Sequence, residues 1–469
     1  MGNTVRVRVP PFAPITSPSS YRPALRVVLG VSLLLRVVLV LSGGERFWPD
    51  ELRYDRSREA VAVLGRGDGH AVVRALAQPD HLLFGVLGLL PATVEVLAGP
   101  DDRVPALFFS LFSVLNIALV DILARRLGET ERTGFLAALL FASSTTQLYY
   151  ARHLLPYDAA ISFALLGLIV GMRSKTSLKD AALCGLLSAA ALLTYNGYFL
   201  LSGSALVFCA FTAASGRIAV RRLAVSVAAF AAPFAVLLVA DALSGGALLR
   251  EWLRYSATVT QGSFAEGGWL PFAYLWHAEH LLTAVWAAGF AFAAVRLASG
   301  DRRPALVVGA AGILLIYFGL VAGSNVFQKF VVYGRQARQL VPFACVLSAA
   351  MLDRLLAGGI ALRRFGAAAV AAVLAQAAWN FRAPILQVFP EEFRRMAQSI
   401  PNPTGAPRFV LYAEFIYPKP VPVPAGIGRV LLARNHPLQF LPYQYEGYTP
   451  EERAALRAID IRMRLVEVP

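Results

Sequence analysis

Two adjacent carboxylates and two guanidiniums stand close together in Asp50-Glu51-Leu52-Arg53-Tyr54-Asp55-Arg56. A carboxylate suits a general base, and a guanidinium suits a phosphate. The same spacing also fits a solvated helix with i,i+3 ion pairs. A second cluster is Tyr149-Tyr150-Ala151-Arg152-His153-Leu154-Leu155-Pro156-Tyr157-Asp158. Asp158 either faces the same water as Asp50 or caps the helix that follows. A third stretch, NVFQKFVVYGRQAR (325–338), sets Lys329, Arg335 and Arg338 beside Tyr333 and Gly334. It suits phosphate binding, or anchoring against lipid headgroups.

Such residues need elements to carry them, and the composition says what kind. The chain has 469 residues, 57% hydrophobic and 16% charged, against roughly 25% charged in an ordinary soluble domain. This excludes a typical soluble enzyme, a disordered chain and a coiled coil, and predicts a polytopic membrane protein. Apolar runs near 25–43, 104–124, 133–150, 157–172, 179–195, 198–215, 223–243, 276–296, 304–323, 338–355 and 365–381 predict about eleven spans of the length a bilayer requires.

Lys and Arg number 44 against 29 Asp and Glu, a net charge of +15. Their placement gives the orientation. The arm 1–24 is basic, so it is expected in the cytoplasm. Arg125, Arg126 and Arg132 share one connector, and Arg173, Lys175 and Lys179 the next on that side. Arg217, Arg221 and Arg222, then Arg296, Arg302 and Arg303, then Arg354, Arg363 and Arg364 continue the alternation. It holds only if 81–99, which contains Pro91 and Glu95, is an interfacial helix and not a span. The first outer loop, 44–103, then faces outward together with 149–158, the turn at Tyr195–Asn196–Gly197, 244–275, 324–337 and the tail 382–469.

The tail predicts a small α/β domain. Its strands are expected at 408–415, 428–434 and 461–468, with a helix starting at Thr449-Pro450-Glu451-Glu452, which has the cap, proline and glutamate of a helix start. Cys184, Cys209 and Cys345 lie in apolar runs with no metal-like spacing and read as small core residues. His277-Ala278-Glu279-His280 is expected to be interfacial and polar. No metal site is assigned: a divalent ion is compatible with the chemistry, but nothing in the sequence indicates one. No P-loop or dinucleotide-binding glycine motif in a suitable context occurs.

Taken in order, PDELRY (49–54), RVPALFFSLFSVLNIALVDILARRLG (103–128), YYARHLLPYD (149–158) and RQARQLVPFACVLSAAMLDRLL (335–356) resemble the GT-C superfamily of integral-membrane glycosyltransferases. The nearest likeness is to its protein-mannosyltransferase and aminoarabinose-transferase branch. It is strongest over about residues 25–175. The resemblance implies an all-α polytopic GT-C-like domain over 25–381, interfacial helices in the first outer loop, and a separate extracytoplasmic domain over 382–469.

The resemblance also implies a transferase that takes a sugar from a polyprenyl phosphate. Asp50 matches the family's acidic residue in the first outer loop, a base or acceptor-orienting group. Glu51, Arg53 and Tyr54 match the rest of that motif, and Asp158 the second outer acidic position. The sequence departs where the family often carries Lys-Pro-Pro or His-Pro-Pro; here Gln78-Pro79-Asp80-His81 stands instead. That puts the expected lysine–phosphate contact in doubt, with His81 as a substitute or as a neutral neighbour of a helix-capping Asp80.

The catalytic candidates are therefore Asp50, Glu51 and Asp158. The donor-phosphate and substrate candidates are Arg53, Tyr54, Arg56, His81, Arg152, His153, Lys329, Tyr333, Arg335 and Arg338. The partners implied are the lipid-linked donor and an acceptor glycan, lipid or protein, with no nucleic acid. The location implied is the inner cell membrane. The competing readings are a transporter or flippase, which predicts charges near the middle of spans or broken helices in matching halves, and a non-catalytic scaffold.

Overall fold

The computed structural model describes residues 21–41, 49–76, 81–243, 269–327 and 334–381, and three short strands in the tail. Helix α1 is Tyr21–Leu41. A 3₁₀ turn, Pro49–Tyr54, leads into α2 (Asp55–Leu64), α3 (Gly69–Leu76) and α4 (Leu82–Ala98). Then come α5 (Arg103–Arg126), α6 (Glu131–Ala142), α7 (Thr145–Tyr150) and α8 (Tyr157–Gly171). Next are α9 (Leu178–Thr194), α10 (Phe199–Phe211) and α11 (Gly216–Leu243). The bundle continues with α12 (Leu270–Glu279), α13 (Leu281–Ala298), α14 (Pro304–Val321), α15 (Val341–Ala357) and α16 (Ile360–Asn380).

Among the described residues, seven helices are long and apolar enough to cross a membrane, so the chain is an integral membrane protein. The other four expected spans fall on the shorter helices α6, α8, α9 and α10, of 12–17 residues. Two expected spans are broken. The run 133–150 stops at Ser143, and Ser144 opens α7 by accepting the Gln147 N–H at 3.4 Å. The run 276–296 breaks at His280, whose φ of +45° turns the chain between α12 and α13. Gln376 on α16 secures that break, accepting the Leu281 N–H at 2.8 Å and donating to the Glu279 carbonyl.

The central helices are α5 and α15, and α1, α11 and α16 lie at the periphery with most of their surface exposed. Outward-facing leucine and valine suit lipid as solvent. Ion pairs collect at one end of the bundle. Arg125 pairs with Asp121, Arg132 with Asp353, and Arg303 with Glu129 at 3.1 Å. Arg222 on α11 donates to the carbonyls of Gly171 and Ser174. This end gathers the basic connectors read from the sequence. The other end gathers the 3₁₀ turn, the α7–α8 and α9–α10 junctions, and residues 334–340.

Cys184, Cys209 and Cys345 are buried free thiols inside helices. In the tail, β1 (Val410–Leu411) runs parallel to β2 (Arg429–Ala433), and β2 antiparallel to β3 (Met463–Glu467). Val410 lies opposite Leu431, and Val430 opposite Val466. Each strand falls within its expected run. The helix expected from Thr449 lies outside the described residues.

Candidate functional site

The 3₁₀ turn Pro49–Tyr54 is tied down by its own side chains. Glu51 is fully buried and accepts the Leu154 N–H at 2.8 Å, with His153 Nδ1 at 3.3 Å from the same oxygen. One carboxylate thus joins the 3₁₀ turn to the segment between α7 and α8. Burial pushes the His153 imidazole pKa down, against the pull of Glu51. The ring is neutral at neutral pH, and the carboxylate selects the tautomer with the proton on Nδ1. Its Nε2 has no hydrogen-bond partner among the described residues.

Tyr54 closes the turn. Its hydroxyl donates to Glu95 on α4 at 2.7 Å. Its ring lies in an apolar cluster with Val40, Phe84, Ala92, Ala106, Phe109 and Leu154. Arg58 on α2 donates to Glu95 through Nε at 3.0 Å and through Nη2, and to Asp102 at 2.8 Å. These bonds hold the Arg58 guanidinium charged, Glu95 first. Arg58 also pairs with Asp55 at 3.3 Å, the i,i+3 pairing that a solvated helix would show. Asp50 is the second residue of the turn, and its side chain lies outside the described residues. Arg56 is half-buried on α2.

Asp158 lies in the first turn of α8 and does not cap it; that position falls to Pro156. Its carboxylate instead pairs with Arg338, in the 3₁₀ segment Gly334–Leu340. Arg338 is fully buried. It also donates to Gln147 Oε1 and to the Tyr198 hydroxyl at 3.3 Å, and stands 4.6 Å over the Tyr150 ring. The Asp158 carbonyl is held by Asn116 on α5 at 2.9 Å. A guanidinium packed against carboxylate, amide and aromatic face is fixed in direction as well as in charge.

The two halves meet through aromatic rings. Arg53 Nη1 approaches His81 Nε2 at 3.5 Å. The His81 ring lies 5.4 Å from that of Tyr195, and Tyr195 is 4.6 Å from Tyr157. Arg335 donates to the Tyr195 hydroxyl at 3.2 Å and stands 5.5 Å over the Tyr157 ring. Arg152 is buried, 5.8 Å over Tyr149, whose ring lies 4.9 Å from His153. So Glu51, Arg53, Tyr54, His81, Arg152, His153, Asp158, Arg335 and Arg338 share one end of the bundle. Lys329 and Tyr333 lie outside the described residues, as does Asp80.

Several residues of this region escape a reading of the sequence. Glu95 is a hub and not merely an interfacial polar residue; its signal was to be the lone charge in an otherwise apolar helix. Arg36, within α1, is fully buried and donates to Ser113 Oγ at 2.8 Å and to the Ser32 carbonyl at 2.9 Å. Gln147, Tyr195 and Tyr198 complete the setting of Arg335 and Arg338. Glu279 is not interfacial: fully buried, it accepts the Thr145 and Thr146 N–H groups at 2.8 and 2.9 Å and so caps α7. Among the described residues no three His, Cys, Asp or Glu side chains group as metal ligands.

No family model and no curated protein matches the chain. Among solved structures, ArnT from Cupriavidus metallidurans, in the apo state, aligns with a TM-score of 0.53 at 15% identity. The alignment covers 72% of this chain and 60% of ArnT, so the chain spans about three fifths of that protein's length. The archaeal oligosaccharyltransferase AglB from Archaeoglobus fulgidus, in complex with an inhibitory peptide and a dolichol-phosphate, aligns with a TM-score of 0.45 at 14% identity. That alignment covers 81% of this chain and 56% of AglB. The likeness to ArnT shows the fold, a polytopic all-α bundle.

Proposed function

We propose that the chain transfers a glycosyl group from a polyprenyl-phosphate-linked sugar to an acceptor glycan, lipid or protein at the extracytoplasmic face of the inner membrane. The observation that carries this reading is the meeting of the PDELRY turn with the 152–158 segment and with Arg335 and Arg338 at one end of a GT-C-type bundle. The basic connectors lie at the other end, which supports a cytoplasmic N-terminus and an outward-facing site.

The reaction is an inverting displacement. The acceptor oxygen attacks the anomeric carbon, its proton passes to a carboxylate, and the bond to the lipid phosphate breaks. Asp50 is the base in this reading. Glu51 is fully buried and already engaged by the Leu154 N–H, so it anchors the turn that presents Asp50. The departing phosphate gains negative charge, which preorganised cations stabilise. Arg53 and Arg335 are half-buried and take that role, with Arg152, Arg338 and His81 behind them and Lys329 and Tyr333 as further candidates from the sequence. Arg56 guides the phosphate from α2. Asp158 is committed to Arg338, so it orients the cation rather than taking the proton. The isoprenoid remains in the bilayer, since extracting it costs about 0.8 kcal/mol per CH₂.

A transporter would place charges midway along its spans. The buried charges Arg36, Asp121 and Arg222 lie within two turns of their helix ends and are bound to partners there, which favours the enzyme. The test is transfer by the purified protein from defined polyprenyl-phosphate sugars beside the matching nucleotide sugars. Turnover with the lipid donors alone is expected; turnover with nucleotide sugars alone overturns the donor class.

A further inference from the structure

Helix α4 has two unlike faces. Val86, Leu90, Val94 and Leu97 form an exposed apolar stripe, while Phe84, Gly88, Ala92 and Glu95 face inward. The inward face receives α2 at close range. A Cβ on Gly88 would collide with Ser57 Oγ, and Ser57 donates to the Gly85 carbonyl at 2.9 Å. Glu95 is the only charged side chain in Leu82–Ala98, and it is almost completely buried. Its carboxylate accepts the Tyr54 hydroxyl at 2.7 Å, the Arg58 Nε–H at 3.0 Å, a second Arg58 donor, and the Asp101 N–H at 3.2 Å. A buried carboxylate is tolerated when its lone pairs and charge are answered, and here Arg58 answers the charge.

The turn Pro49–Tyr54 is thereby held at two points. Glu51 binds the Leu154 N–H, and Tyr54 binds Glu95. We infer that Glu95 is a positioning residue: acting through the Tyr54 hydroxyl, it fixes the turn that presents Asp50 to the acceptor. This rests on the proposed transferase reading and reassigns Tyr54 from a donor contact to an internal strut. The cations Arg335 and Arg338 lie on a different element, so releasing the strut displaces the carboxylate together with Arg53 of the same turn and leaves the contacts of Arg335 and Arg338 in place. A displacement of about 1 Å at a reacting group lowers the rate on the order of 100-fold.

The experiment compares wild type, Tyr54→Phe, Glu95→Ala and the double variant. Tyr54→Phe removes one oxygen and leaves the Glu95–Arg58 pair, so it keeps the test valid where Glu95→Ala does not fold. Expected is a fall in kcat of about 10- to 100-fold, a rise in donor KM smaller than that fall, and a double variant no slower than the slower single. A raised KM at unchanged kcat in Tyr54→Phe, or wild-type kcat in Glu95→Ala, overturns the inference. A second readout needs no turnover: the rate of maleimide labelling at Asp50→Cys, with and without Tyr54→Phe. The three native cysteines are buried, so background labelling is low. A severalfold faster rate with Tyr54→Phe is expected, and an unchanged rate contradicts the strut. Absent transfer by wild type together with a faster labelling rate overturns the transferase reading alone.

Discussion

Asp158 and Arg338, 180 residues apart in the chain, form an ion pair with both side chains almost wholly buried. The pair joins the start of α8 to the segment before α15, and Gln147 and Tyr198 complete the guanidinium's hydrogen bonds. A buried pair is costly to break from one side, because the survivor keeps its charge without its partner. Arg338→Met is therefore expected to destabilise the protein by about 3–5 kcal/mol. The double variant Asp158→Leu/Arg338→Met should lose less than the sum of the singles. Thermal unfolding in detergent reads both, and additive losses would show that the two residues do not act as a pair.

In the proposed transferase the adjacent residues Glu51 and Asp50 have different work. Glu51→Gln keeps an oxygen for the Leu154 N–H and loses the charge facing His153. Its expected cost is about 1.5–3 kcal/mol of stability, with a smaller loss of kcat than Asp50→Asn causes. Steady-state rates on the two variants check the order, and a reversed order assigns the base to Glu51.

His153 makes stability depend on pH. Burial lowers its folded-state pKa below the ordinary 6.5. Between those two values the unfolded chain binds the proton and the folded chain does not. Stability is thus full above about 6.5 and falls as the pH drops toward the folded pKa. Unfolding midpoints across this window should decline in wild type and flatten in His153→Gln. An equal decline in the variant would place the effect on another group.

Arg335 is half-buried and stacks on Tyr157, so its removal is expected to spare the fold. Arg335→Ala should raise the donor KM by about tenfold, the loss of one charge-assisted contact of about 1.5 kcal/mol, with the unfolding midpoint little changed. A donor titration decides it; an unchanged KM with a lowered midpoint makes Arg335 structural.

Hydropathy and arginine placement made the helices, the two ends of the bundle and the three tail strands legible, because apolar length and alternation are local properties of the chain. PDELRY and YYARHLLPYD stand out by residue type as a candidate site, and the structure brings the two segments together. Their division of labour was not. Nothing local separates Glu51 from Asp50; only the Leu154 N–H, more than a hundred residues away, shows which one is consumed. Asp158 read equally well as a helix cap until its partner Arg338 was located. Glu95 served only to mark 81–99 as interfacial, because its partners, Tyr54 of the 3₁₀ turn and Arg58 of α2, come from other elements. The breaks at Ser144 and His280 interrupt two apolar runs that composition alone joined, and the buried Glu279 carboxylate that caps α7 from a distant helix leaves no periodic trace.

In the proposed reaction a carboxylate on the PDELRY turn drives glycosyl transfer from a lipid phosphate. The most direct test is turnover of a polyprenyl-phosphate sugar by purified wild type and by Asp50→Asn, with binding of free polyprenyl phosphate measured in both. The account predicts transfer by wild type, a loss of kcat of about 100-fold or more in Asp50→Asn, and equal lipid-phosphate binding. Undiminished turnover in Asp50→Asn would contradict it.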